Sequence, residues 1–333
     1  MTVPSWRSGP ARAEATVSKT DEQFAAPSRR EHRLRRARQT PVNLVVISVL
    51  AGIATIVIYL AFVRTFTGQS VDQLAWSGGP GRNADWHPTV NRRYELLSTV
   101  GLSLALIGVV LTGWIRRKPR MLAAAAVLVT GTWVSVQIIK TFLGRPFLTD
   151  VPGADEINTF PSGHTAAAAA IAGAALLVVA PRWRAITALV AGGGATAMGV
   201  MTLHAGWHRA SDAIGAFTVE LAWLAAVVVC LVWWRGRARH RDRPRGRWVR
   251  TVLGVLALTT GLWGGFGMAR TALDVRGADR TFTESQARRA YRSSLLLVVA
   301  MGSLTTLVAL VGLAEVELDP DDQSSIGSRS TGS

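Results

Sequence analysis

Eight blocks of consecutive apolar residues, near 43–63, 96–115, 121–141, 163–181, 185–204, 212–234, 250–269 and 293–315, constrain this chain more than anything else in it. Each is roughly 18–24 residues long, the length that carries an α-helix across the ~30 Å hydrocarbon core of a bilayer. Inside hydrocarbon only helices and closed barrels satisfy their own backbone hydrogen bonds, and blocks of this length are too long for barrel strands. The expected fold is therefore all-α, a polytopic membrane helix bundle. Residues 1–42, polar and rich in arginine, are expected as a disordered cytoplasmic tail, and 43–234 as a six-helix core. Residues 235–315 are expected as a basic cytoplasmic loop with two additional transmembrane helices, and 316–333 as a second disordered tail.

The net charge of +16 would suggest a nucleic-acid partner in a soluble protein. Here the arginines flank the apolar blocks, as topology signals do, so the expected partner is the bilayer and not nucleic acid. The tail, the loop Arg116–Arg120, the stretch Pro181–Arg184 and the stretch Arg235–Arg250 are all basic and are separated by even numbers of crossings. They should share the cytoplasmic side of a multi-pass plasma-membrane protein. Residues 270–292 break the pattern, being arginine-rich on the opposite side. Within them Thr283–Arg292 reads as a short amphipathic helix on the membrane surface. The only cysteine, Cys230, lies inside an apolar block and reads as a small packing residue.

Three polar motifs sit at block ends that this topology places on one face, opposite the basic loops. Lys140 ends the third block and is followed by Arg145-Pro146. Pro161-Ser162-Gly163-His164 opens the fourth. His208-Arg209-Ala210-Ser211-Asp212 joins the fifth to the sixth. Two histidines, an aspartate, a serine, a glycine, a lysine and an arginine are the parts of a phosphate site. His208 and Asp212 are one helical turn apart, so the carboxylate can hold one ring nitrogen and leave the other as a nucleophile. Ser162 can cap a helix whose first amides, including that of Gly163, face an anion. Lys140 is one of only three lysines, and Arg145 offers a fork to phosphate oxygens. A metal site built from His204, His208, Asp212 and His164 is disfavoured because Lys140 and Arg145 would repel a cation; no metal or other cofactor is expected.

The pattern resembles the type 2 phosphatidic acid phosphatase superfamily, in a divergent, actinobacterial-like membrane branch, with the resemblance running over about 43–234. It implies that His208 is the nucleophile, Asp212 its partner and His164 the general acid, with Lys140, Arg145, Ser162 and Gly163 binding phosphate. The implied activity is hydrolysis of a lipid phosphate or pyrophosphate, of polyprenyl or phosphatidic type, at the extracytoplasmic face through a phosphohistidine. A lipid phosphotransferase, or a degenerate lipid-phosphate binder, are the alternatives. Two positions depart from the family pattern. Phe147 stands where the first motif usually carries its arginine, and Met201-Thr202 stand where the third usually reads Ser-Arg, so Arg209 or His204 would have to compensate.

Overall fold

A computed structural model describes residues 29–80, 88–149, 158–235, 246–277 and 282–314. Nine helices account for nearly all of these: α1 (Arg29–Ile58), α2 (Phe66–Ser77), α3 (Pro88–Ile115), α4 (Pro119–Phe142), α5 (Gly163–Val178), α6 (Arg184–His204), α7 (Ala210–Arg235), α8 (Arg247–Arg276) and α9 (Glu284–Ala314). No strand occurs among the described residues. Seven of the helices are long and apolar enough to cross a membrane. Each of the eight apolar blocks is helical, so the all-α membrane bundle stands.

The blocks differ in how they meet their surroundings. The most apolar windows of α1, α3, α4 and α8 are only 17–28% buried, whereas that of α7 is 67% buried. Apolar side chains left outside on this scale suit a helix solvated by lipid, and α7 is the central post. Helix α5 is the exception in length: 16 residues, or about 24 Å. Twelve of those residues are buried, half of them alanine, and the helix packs against α3, α4, α6, α7 and α9. Small side chains let the backbones approach closely, the usual basis of helix association in lipid. Polar pairs stitch α1 to α7 within the apolar interior, Thr55 Oγ1 to Thr218 Oγ1 at 2.7 Å and Ser48 Oγ to the Ala222 carbonyl at 2.8 Å.

Three expectations need correction. Residues 29–42 are not part of a disordered tail, because α1 starts at Arg29 and continues into the first apolar block. Arginine, alanine and glutamine are good helix formers, and the helix runs through them and past Pro41 into the apolar block. The rest of that tail, the loop 236–245 and the C-terminal tail lie outside the described residues. Second, Thr283–Arg292 is no separate surface helix but the start of α9. Thr283 and Gln286 close a capping box: Thr283 N–H donates to Gln286 Oε1 at 2.8 Å, and Gln286 N–H to Thr283 Oγ1 at 3.3 Å. Ala287 and Ala290, one turn later, are buried against α2 and α8. Third, α2 lies between the first two blocks where no element was expected; Gly68 through Ala75 are all buried.

The C-terminal pair is part of the bundle. Helix α9 packs on α8 along its length and also on α7, α2 and α6. At its far end Arg184 Nη1 donates to the Leu313 carbonyl at 2.6 Å.

Candidate active site

The ends of α2, α4, α6 and α8 and the starts of α3, α5, α7 and α9 meet at one end of the bundle. Trp76 of α2 donates from Nε1 to the Gly206 carbonyl at 2.9 Å, and Trp207 donates from Nε1 to Asn91 Oδ1 at 2.5 Å. The start of α5 is joined to the start of α7 by the Ser162 N–H, which donates to the Asp212 carbonyl at 2.9 Å. The three motifs thus share one end.

At the centre stands Asp212, with no solvent exposure. Its Oδ2 lies 3.2 Å from His208 Nδ1 and accepts from Thr159 Oγ1 at 2.6 Å and from the Arg209 N–H at 3.0 Å. Its Oδ1 faces Arg145 Nη1 at 4.0 Å. With the His208 proton on Nδ1, the ring turns Nε2, bearing a lone pair, away from the carboxylate. The main chain that carries the ring is held as well: the Trp207 and His208 amides donate to the Thr202 carbonyl at 3.0 and 3.2 Å.

Ser162 caps α5, its Oγ accepting from the Thr165 N–H at 3.3 Å and the Thr165 hydroxyl at 3.0 Å. The amides of Gly163 and His164, one residue inside that cap, precede the first intrahelical bond and carry the positive end of the helix dipole. A Cβ built on Gly163 would meet only Lys140 Nζ, at 3.8 Å, which puts the lysine head beside this amide turn. His164 is partly exposed, and its ring lies 5.3 Å from that of Trp207. All seven residues singled out from the sequence, Lys140, Arg145, Ser162, Gly163, His164, His208 and Asp212, are therefore gathered at one end of the bundle.

The two departures from the pattern have structural readings. Arg145, not Phe147, turns inward: Arg145 is 7% exposed and faces Asp212, while Phe147 is 53% exposed. Thr202 is fully buried, with Oγ1 donating to the Gly199 carbonyl at 2.8 Å, so this position braces the end of α6. Arg209 is buried beside the site but is tied backward: Nε and Nη2 donate to Gln73 Oε1 at 3.1 and 2.9 Å, Nη1 to Thr159 Oγ1 at 3.3 Å, and the guanidinium sits 5.2 Å from the Trp76 ring centroid. His204 Nδ1 lies 3.1 Å from the Tyr291 hydroxyl of α9.

Sequence reasoning missed the supporting layer on α2. Gln69, 2% exposed, donates from Nε2 to the Val63 and Pro146 carbonyls at 2.8 and 2.6 Å and accepts the Leu148 N–H at 3.2 Å. It clamps the turn that carries Arg145. Gln73 orients Arg209. Asp72 accepts from the Ser211 hydroxyl and, at 3.3 Å, from its N–H. Burial first, and the nearby Asp212 charge second, push the Asp72 carboxyl above its ordinary 3.8, against the opposing pull of Arg145, the Ser211 bond and Arg209. The signal was present: Gln69, Asp72 and Gln73 stand at i, i+3 and i+4, one polar stripe on a short helix.

The site thus joins a membrane-type helical bundle to a buried His–Asp pair at one helix start and a lysine beside another. Residues 120–236, which run from α4 through α7, match the family model described as the PAP2 superfamily. No curated protein and no solved structure matches the chain.

Proposed function

We propose that this protein is a membrane phosphatase that hydrolyses a lipid phosphate or pyrophosphate, of polyprenyl or phosphatidic type, through a phosphohistidine, at the extracytoplasmic face of the plasma membrane. The observation that carries the reading is the buried His208–Asp212 pair, 3.2 Å apart, at the same end as the lysine-flanked start of α5. A site at the end of a lipid-solvated bundle suits a substrate whose tail stays in the bilayer while its head reaches water.

In this reading Lys140, Arg145 and the amides of Gly163 and His164 hold the nonbridging oxygens of the phosphoryl group, and Ser162 fixes that turn through its cap. His208 Nε2 attacks phosphorus as the bond to the lipid oxygen breaks, and His164 gives its proton to that oxygen. Asp212 stabilises the positive charge that develops on the His208 ring. Water then attacks the phosphohistidine, giving its proton to His164. The nitrogen–phosphorus bond breaks, phosphate leaves, and both histidines return to their starting states. Side-chain cations and helix amides supply the charge neutralisation that the step needs.

Phosphate release from a panel of lipid phosphates by purified protein in detergent tests the reading, with His208→Ala and His164→Ala as controls. Release from at least one lipid, abolished by His208→Ala, is expected. Release that survives His208→Ala contradicts the mechanism. Binding without release would favour the non-catalytic alternative, to which the loss of a phosphate-binding arginine at Thr202 lends its support.

A further inference from the structure

A positively charged cavity opens between α8 and α9, with a volume of about 460 Å³. None of the residues lining it belongs to the site above. Trp263, Phe266, Gly267 and Arg270 supply one wall at i, i+3, i+4 and i+7 of α8. Arg288, Arg289 and Arg292 lead the other wall, and Leu296 ends it one turn deeper. The helices run antiparallel, so all four arginines collect at the end where α8 finishes and α9 begins. The aromatic and aliphatic residues lie toward the middle of the spans. Seven residues of α8 separate Arg270 from Trp263, about 10 Å along the axis. The helices can come this close because Gly267 has no side chain; a Cβ there would stand 2.0 Å from Ser293 Oγ.

Charge is left over in this groove. Arg289 pairs with Asp274, and Arg288 with Glu284 at 3.0 Å. Arg292 has no carboxylate partner among the described residues, and Arg270 leans on the Phe266 ring, 4.4 Å from its centroid. The Nε of Arg289 is buried without an acceptor. Trp263, Phe266, Arg270, Arg288 and Arg292 are all exposed.

We propose that this groove binds an anionic phospholipid, its headgroup phosphate held by Arg270 and Arg292 and its acyl chains laid along Trp263, Phe266 and Leu296. The volume falls within the range of small-ligand sites. The step from guanidinium groups at the helix ends to aromatic and aliphatic side chains deeper in the groove follows the lipid from headgroup to acyl boundary. A soluble anion would have no use for the apolar half.

The test uses the full chain carrying His208→Ala, so that catalysis plays no part, with native mass spectrometry of lipids retained from mixed phosphatidylglycerol and phosphatidylcholine micelles. The wild-type groove should retain phosphatidylglycerol preferentially. The pair Arg270→Gln/Arg292→Gln should lower that preference about tenfold or more, whereas Arg270→Lys/Arg292→Lys should keep most of it. Trp263→Ala/Phe266→Ala should weaken retention of the lipid, and millimolar glycerol phosphate should not displace it. Equal retention of the two lipids, or an unchanged preference in the folded glutamine pair, overturns the proposal. Displacement by glycerol phosphate alone overturns the lipid assignment.

Discussion

Replacing Gln69 by leucine would test whether α2 governs the candidate site from behind. The amide is buried and makes three bonds, to Val63, Pro146 and Leu148. Leucine is close in size, so the change removes hydrogen bonding with little change of volume. It orphans one N–H and two carbonyls, each worth about 1 kcal/mol at the low end for groups that water partly reaches, or about 3 kcal/mol in all. Two of the three bonds flank Phe147, so most of the loss falls on the turn carrying Arg145. Loss of a charged contact to phosphate costs on the order of 2–4 kcal/mol at full effect. Partial misplacement of Arg145 should then lower kcat/KM roughly 10–100-fold, at about 1.4 kcal/mol per tenfold. Phosphate release from the best lipid of the panel gives kcat/KM, and thermal melting in detergent checks folding. Against an Arg145→Ala background, Gln69→Leu should add little, because both act through one guanidinium. Full kcat/KM in the folded single variant, or full additivity in the double, would refute the clamp.

Three further outcomes follow from the geometry. Gly163→Ala should fold normally, since the added methyl meets only Lys140 Nζ at 3.8 Å, yet should cut phosphate release roughly 10–100-fold by crowding the amide turn; unchanged release would count against phosphate binding there. Thr202→Arg should not restore the missing phosphate contact but should reduce the yield of folded protein, because the position is fully buried and an unpaired charge there costs several kcal/mol; a folded, more active variant would contradict this. Asp72 holds its proton more tightly when folded, so its contribution to stability is present at low pH and is lost as pH rises above the ordinary 3.8 through the raised folded value. The melting temperature of Asp72→Asn relative to wild type should therefore increase with pH from about 4 upward, and a flat difference would rule out the buried proton.

The apolar blocks were legible because a span's length and hydropathy are local properties, and each block is a helix. The meeting of Lys140, Ser162 and His208 at one end was legible for a related reason, since counting crossings assigns ends without any knowledge of contacts. Helix α2 was not legible in the same way. Its 12 residues are too short and too polar to read as a span, and Gln69 acts through main-chain carbonyls, which leave no mark on the residues that own them. Arg145 and Phe147 show a different limit. Spacing put the arginine two residues short of the position the family pattern uses, and only the path of the turn, set by Gln69 and by the Tyr59 hydroxyl bonded to the Gly144 carbonyl at 2.6 Å, turns Arg145 inward. The start of α9 was misread because its arginines dominate a local hydropathy window, whereas Ala287 and Ala290 between them find burial only through tertiary packing.

Trapping the covalent intermediate tests the account most directly. Protein mixed for milliseconds with lipid substrate carrying ³²P in its terminal phosphoryl group, then quenched in alkali, should retain acid-labile, alkali-stable label, as a phosphoramidate does. The account predicts that His208→Ala carries no such label, and that His164→Ala still accepts label from a substrate with a good leaving group. Label that persists in His208→Ala, or wild-type turnover without any labelled protein, would contradict it.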